Sequence, residues 1–453
     1  MRPRGLCDER SATPLSHVAG RADRGQHGRM ARVRRRLQVL EDDHFPAYVV
    51  WELTLRCDHA CAHCGSRAGA PRDDELTTTE ALGIVDQLVA MRAHEVVLIG
   101  GEAYLHEGFL EIITALSSRG VRVQMTTGGK GITPELCARM KAAGLHGVSV
   151  SIDGLEASHN AIRQSKHSFQ GTLSALRALK GAGIVTAANT NINRENERDL
   201  EALFDVICAE GVVAWQVQLT VPLGRAADRP QLLLQPYDLL DVVPRIVRLK
   251  ELGFGRGMLV MPGNNLGYFG PEEALLRSPH DVRAGDDVER DHWRGCQAGK
   301  RVLGIESDGG VKGCPSLQPA YIGGSLKDRS LKDIWDRAPQ LAFTRARTTA
   351  DLWGACQTCA FAEVCLGGCS FTSHALFGRP GNNPYCHFRA RELDARGLRE
   401  RLVATDAATG VPFDHGLFEL VVEDKHAPEP ISAAADTSTS LVRITRAPSR
   451  AGA

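Results

Sequence analysis

The sequence predicts an α/β chain in which a parallel sheet with packed helices is followed by a small cysteine-rich domain. Two observations carry this prediction. Between residues 45 and 225, short apolar runs alternate with helical patterns six times, the order that builds parallel sheets through helical crossovers. Further on, seven closely spaced cysteines run from Cys296 to Cys386. The candidate strands are Tyr48–Leu55, Val96–Ile99, Val121–Thr126, Gly147–Ile152, Ile184–Asn189 and Trp215–Leu219. A helix at Thr79–Ala93 sets Leu82, Val85, Leu88 and Val89 on one face, and Thr77 with Glu80 three residues on forms a capping-box pattern at its start. The next helix starts at Thr133-Pro134 and stops at Gly144, and later ones stop near Gly183 and Gly211. This follows the preference for proline in the first turn and glycine just past the last.

Composition narrows the partners. Lysine plus arginine number 54 and aspartate plus glutamate 54, a formal net charge of zero, and no basic stripe points to nucleic acid. No apolar stretch approaches the ~20 residues that span a bilayer, and no secretory segment opens the chain. Clustered cysteines without an export signal read as metal ligands in a reducing cytoplasm. Residues 1–44 form an arginine-rich arm expected to be disordered, with Met30 as an alternative start; Asp8, Glu9 and Asp23 speak against a transit peptide. The core is expected over 45–225, a bridging segment over 226–290, the cysteine-rich domain over 291–400, and a mostly disordered tail over 401–453 apart from an apolar run at Leu417–Val422. Cys7 carries no expected role, and Cys137 and Cys208 read as small core residues.

The first cysteine block is Cys57-Asp-His-Ala-Cys61-Ala-His-Cys64. Three thiolates at this spacing can hold three corners of a [4Fe–4S] cube and leave the fourth iron open to a small molecule. The competing reading is a zinc knuckle that adds His59 or His63. The second block runs Cys296, then Gly309, Cys314, Cys356-x2-Cys359-x5-Cys365-x3-Cys369 and Cys386. Behind a CxxxCxxC, this resembles the seven-cysteine SPASM signature of radical S-adenosylmethionine (AdoMet) enzymes, over roughly residues 47–390.

That resemblance implies a partial (βα)6 TIM-type barrel followed by an iron–sulfur SPASM domain, with the chemistry at the carboxyl ends of the strands. It implies that Cys57, Cys61 and Cys64 hold the AdoMet-binding [4Fe–4S] cluster. Gly100-Gly101-Glu102 after the second strand is similar to the GGE motif that holds the AdoMet ammonium, and Ser151 with Arg163 to the pair that holds its carboxylate. Cys356, Cys359, Cys365 and Cys386 would bind one auxiliary cluster, and Cys296, Cys314 and Cys369 three corners of another, with Asp291 or His292 as possible fourth ligands. Asp153 either fixes the turn before Gly154 or reaches the cofactor. Asn189, Asn191, Gln216 and Gln218, at period two, either meet a ligand or are satisfied buried amides. Pro222-Leu-Gly224-Arg225-Ala226 resembles a loop that closes such barrels, and His63 replaces a common aromatic.

Pro315 beside Cys314 cannot take up a proton, so oxidation of serine or cysteine to formylglycine is disfavoured and no general base is assigned. The resemblance implies hydrogen abstraction from a precursor peptide, ending in a thioether or carbon–carbon crosslink or a related oxidation, with electrons from a flavodoxin- or ferredoxin-type protein. One rival is an oxidation in haem or quinone biosynthesis. Another is a non-enzymatic iron–sulfur carrier or regulator.

Overall fold

The computed structural model describes residues 44–279, 291–428 and 442–443. The expectations for residues 1–43 and most of the last stretch lie outside these. Six strands stand side by side in chain order, all parallel: β1 (Tyr48–Glu52), β2 (Glu95–Ile99), β3 (Arg122–Thr127), β4 (Gly147–Ser151), β5 (Val185–Ile192) and β6 (Ala214–Leu219). Helices α1 (Thr78–Ala90), α2 (Phe109–Ser117), α3 (Pro134–Ala142), α4 (Glu156–Arg163), α5 (Ser168–Gly181) and α6 (Leu200–Ala209) make the crossovers. Both halves of the capping box on α1 form. Its buried stripe is Ala81, Ile84, Val85 and Leu88, so Leu82 and Val89 pack only at the edge of the core.

The sheet is wider than expected. β7 (Leu259–Pro262) adds to β6, and β8 (Val302–Ile305) pairs in parallel with the other side of β1, followed by antiparallel β9 (Val311–Lys312). The segment 226–290 is therefore more than a bridge. It supplies an 18-residue helix, α7 (Leu239–Arg256), ended by Gly257 at φ 75°, and then β7. A four-residue strand directly behind a glycine cap shows too few alternating positions to stand out in sequence.

The expectation of a mostly disordered tail is corrected for residues 401–428. β10 (Leu398–Asp406) and β11 (Leu417–Asp424) form an antiparallel hairpin joined by a long loop, and β12 (Val442–Arg443) pairs with β11.

Alternation along β3–β6 decides which side chains face the site. Val148, Val150, Ala188, Trp215 and Val217 are buried toward the helices. Thr126, Ser149, Ser151, Asn189, Asn191, Gln216 and Gln218 alternate with them and are half-buried on the other face. Register places Ser151 beside Asn189, Asn189 beside Gln216, and Asn191 beside Gln218.

Candidate active site

The first cysteine block forms the loop after β1, at the carboxyl end of the sheet. Cys61 is buried, Cys57 and Cys64 are half-buried, and all three are free thiols. Burial pushes the Cys57 thiol up to about 12 and raises Cys61 as well. Such thiols lose their protons when a bound metal compensates the charge. The loop also leaves buried polar atoms without hydrogen-bond partners: Asp58 Oδ1, both ring nitrogens of His59, and His63 Nδ1. Among the described residues, only Cys57, Asp58 and Glu102 gather ligand atoms within 4.8 Å of one another. A single zinc ion with Zn–S of about 2.3 Å would draw its thiolates closer together than these three sulfurs stand. The donor set therefore fits a larger group better than a zinc knuckle.

Glycines let β2 meet this loop. A Cβ at Gly100 would strike the carbonyl of Thr54, and one at Gly101 that of Arg56. Glu102 follows, 2% exposed. It accepts from Thr127 Oγ1 at 2.6 Å and from the Gly128 N–H at 2.7 Å, while burial pushes its carboxyl up to about 7. A carboxylate oxygen has a second lone pair, so Glu102 can still receive an ammonium.

Arg163, at the end of α4, is buried, and part of its fork is already engaged within the protein. Nε and Nη2 donate to Asp153 Oδ2 at 2.8 and 2.7 Å, and Nη1 lies 3.5 Å from Cys61 Sγ. A guanidinium so deeply buried needs a counter-ion, and Asp153 is the one at hand. One N–H on Nη1 and one on Nη2 remain for a ligand carboxylate. Asp153, fully buried, also meets His63 Nε2 at 3.0 Å and accepts the Asn191 N–H at 2.9 Å. It thus ties the cysteine loop, α4 and β5 together. Ser151 stays half-buried at the end of β4 beside Asn189.

His159 lies behind this network. Its Nδ1 accepts the Asp153 N–H at 3.0 Å and its Nε2 stands 3.0 Å from Ser168 Oγ. Burial and the Arg163 charge hold its pKa down to about 3. Burial likewise holds His374 down to about 4. Unfolded histidines titrate near 6.5, so below that pH the unfolded chain takes up protons that the native chain refuses. The contribution of these two histidines to stability is full above about pH 6.5 and is lost as the pH falls toward about 4 for His374 and about 3 for His159, by up to about 1.4 kcal/mol per group per pH unit. The urea midpoint of the wild-type protein relative to that of His159→Gln should therefore fall as the pH is lowered through this window.

Sequence reasoning missed a clamp on the loop. Arg67 donates through Nε to Asp414 Oδ1 at 2.9 Å and pairs with Asp228 at 2.6 Å. The Phe413 N–H reaches the Gly65 carbonyl at 3.1 Å, and the Gly224 N–H reaches the Asp414 carbonyl at 2.7 Å. The loop between β10 and β11 therefore rests on the cysteine loop. Gly224-Arg225-Ala226 holds it from the other side: Arg225 donates to the carbonyls of Cys61, Cys64 and Ala68. A Cβ at Gly224, φ 57°, would strike the Gly65 carbonyl.

The second block separates into two groups. Cys356, Cys359, Cys365 and Cys386 line one small cavity with Tyr268, Phe361 and Phe388. Cys314 and Cys369 are raised to about 12 and about 11, by burial first and then by the nearby Cys296. Asp291 is buried, and the His292 ring lies 6.2 Å from that of Phe269.

Known proteins share these domains and this fold. Residues 51–207 match the Radical SAM superfamily, and residues 296–360 match SPASM, an iron–sulfur cluster-binding domain. The chain is 27% identical to the AdoMet-dependent heme synthase of Nitratidesulfovibrio vulgaris, covering 76% of this chain and 93% of that one. It is 29% identical to the mycofactocin maturase MftC of Mycolicibacterium smegmatis, covering 75% and 82%. Its fold is similar to that of Streptococcus suis SuiB bound to S-adenosylmethionine, with a TM-score of 0.58 at 16% identity over 72% and 74% of the two chains. With an α/β partial barrel, three thiols at its mouth and seven cysteines behind, the chain belongs to the radical SAM superfamily, as an enzyme with a SPASM domain that uses a [4Fe–4S] cluster, AdoMet and auxiliary iron–sulfur clusters.

Proposed function

We propose that this chain is a peptide maturase, in which Cys57, Cys61 and Cys64 hold the cluster that binds AdoMet. When bound, these groups supply a 5′-deoxyadenosyl radical that takes a hydrogen atom from the substrate. The residues around them set the geometry. Glu102 faces the AdoMet ammonium, the two remaining Arg163 donors and Ser151 face its carboxylate, and Asp153 keeps Arg163 and His63 in place. Cys356, Cys359, Cys365 and Cys386 hold one auxiliary cluster, and Cys296, Cys314 and Cys369 hold the other.

The observation that carries the peptide assignment is the inner face of β4–β6. Ser149, Ser151, Asn189, Asn191, Gln216 and Gln218 line it half-exposed, with Gln218 Nε2 donating to Asn191 Oδ1 at 2.8 Å. These neutral groups both donate and accept, which suits peptide amides. None of them is a cation. Arg163 answers Asp153, and Arg122, at the other end of β3, answers Glu95 at 3.7 Å. Lys130, which pairs with no carboxylate among the described residues, donates to the Asp58 carbonyl at 2.7 Å. A haem-type macrocycle carries carboxylates and calls for arginine or lysine in its pocket. The 27% identity over 93% of a heme synthase favours that second reading. Among solved folds, SuiB has been crystallised bound to its precursor peptide SuiA. A flavodoxin- or ferredoxin-type donor in the cytoplasm would supply the electrons. No helix of the described residues is long and apolar enough to cross a membrane.

Anaerobic coexpression with peptides from short reading frames beside the gene tests the assignment. The expected product is a peptide lighter by the mass of two hydrogens, as a crosslink requires. Unchanged peptides, together with turnover of an iron porphyrin, would move the assignment to the second reading.

A further inference from the structure

Tyr268 belongs to no cysteine or AdoMet motif, yet it touches both auxiliary cysteine groups. It lies in the segment after β7, where Gly267, Tyr268 and Phe269 take φ of 94°, 76° and 52°. Side chains rarely adopt this left-handed backbone, and two successive aromatic residues hold it only where surrounding contacts fix them. The contacts are present. The His387 N–H bonds the Gly267 carbonyl at 2.8 Å and the Phe388 N–H bonds the Tyr268 carbonyl at 3.2 Å, anchoring the segment to the start of helix α8 (His387–Ala395). Phe269 stacks on Phe361 at 4.4 Å, and the Tyr268 ring meets Trp293 edge-on at 5.2 Å.

This backbone turns the two ends of one residue toward two sites. Tyr268 lines the cavity of Cys356, Cys359, Cys365 and Cys386, and its carbonyl lies 3.8 Å from Cys386 Sγ. Its phenol oxygen accepts the backbone N–H of Cys369, which belongs to the other group, at 3.2 Å. The same oxygen accepts from Asn383 Nδ2 at 3.2 Å and donates to the Asn264 carbonyl at 2.5 Å. One donated and two accepted bonds saturate a hydroxyl. A phenylalanine would fill the same space and make none of them.

We propose that Tyr268 is a positioning residue that fixes the inner and outer auxiliary cluster sites relative to each other. Its oxygen sets the backbone of Cys369 while its ring and carbonyl close the outer cavity. This rests on the assignment of the seven cysteines to two clusters.

The test uses the full chain, reconstituted anaerobically with iron and sulfide, and follows iron content and electron paramagnetic resonance through a redox titration. Wild-type protein lacking two auxiliary signals would remove the cysteine assignment and this inference with it. In Tyr268→Phe, with unchanged circular dichroism, the inner cluster should shift in midpoint potential or be lost, lowering iron by up to about a third. The AdoMet-site cluster should keep its potential. Trp293→Phe, which disturbs the packing of the ring and removes the indole bond to the Cys365 carbonyl at 3.1 Å but spares the phenol, should leave the inner potential in place. Wild-type iron and potentials in Tyr268→Phe, simultaneous loss of all clusters, or an equal inner shift in Trp293→Phe would each overturn the proposal.

Discussion

Changing Cys57, Cys61 and Cys64 together to alanine should abolish AdoMet cleavage and leave the auxiliary iron in place. The three thiols sit on one loop at the mouth of the barrel, and the nearest carboxylates, Asp58 and Glu102, cannot replace three sulfurs around a cube. Iron should fall from about twelve per chain to about eight if all clusters are four-iron cubes. Formation of 5′-deoxyadenosine should fall to the level of a protein-free control. The loop itself should persist, because Arg67, Arg225 and Asp414 hold its backbone independently of the sulfurs. Residual cleavage in the triple variant, measured by chromatography of the nucleoside products, would place the AdoMet site elsewhere.

The second large effect should come from Cys356→Ala combined with Cys359→Ala. These residues line a cavity remote in sequence from the barrel loop, so the AdoMet site should stay intact and cleavage should continue. Product should fall sharply, because the substrate would have lost the oxidising and positioning contribution of the outer cluster. Metal binding is part of the folding free energy of a small cysteine-rich domain, so circular dichroism and iron count must show a folded barrel retaining its first cluster. Full product formation in this variant would show that the outer cluster is dispensable.

The parts of this fold legible in sequence are those written in short patterns. The cysteine block after β1, the two glycines and Glu102 after β2, and the box at Thr77 and Glu80 each lie within a few residues, where spacing alone constrains geometry. The grouping of the seven later cysteines followed from the family pattern, and the cavity shared by Cys356, Cys359, Cys365 and Cys386 is consistent with it. What stayed hidden depends on distance along the chain. Arg67 and Asp414 are 347 residues apart, and neither is unusual in its own neighbourhood. Charged side chains at Arg399, Glu400 and Arg401 obscured the alternation of β10, although Glu400 is buried against Arg389 and Arg399 and Arg401 both pair with Glu423. The occupied fork of Arg163 could be read only once Asp153 was placed beside it. Tyr268 carries no sequence signal at all, since its role comes from a left-handed backbone between two sites.

The most direct test of the substrate assignment is the origin of the hydrogen that ends up in 5′-deoxyadenosine. Reduced, reconstituted protein is given AdoMet and, in turn, a deuterated peptide encoded beside its gene and an iron porphyrin with deuterated propionates. The account predicts deuterium in the nucleoside with the peptide and none with the porphyrin. Deuterium from the porphyrin and none from the peptide would contradict it.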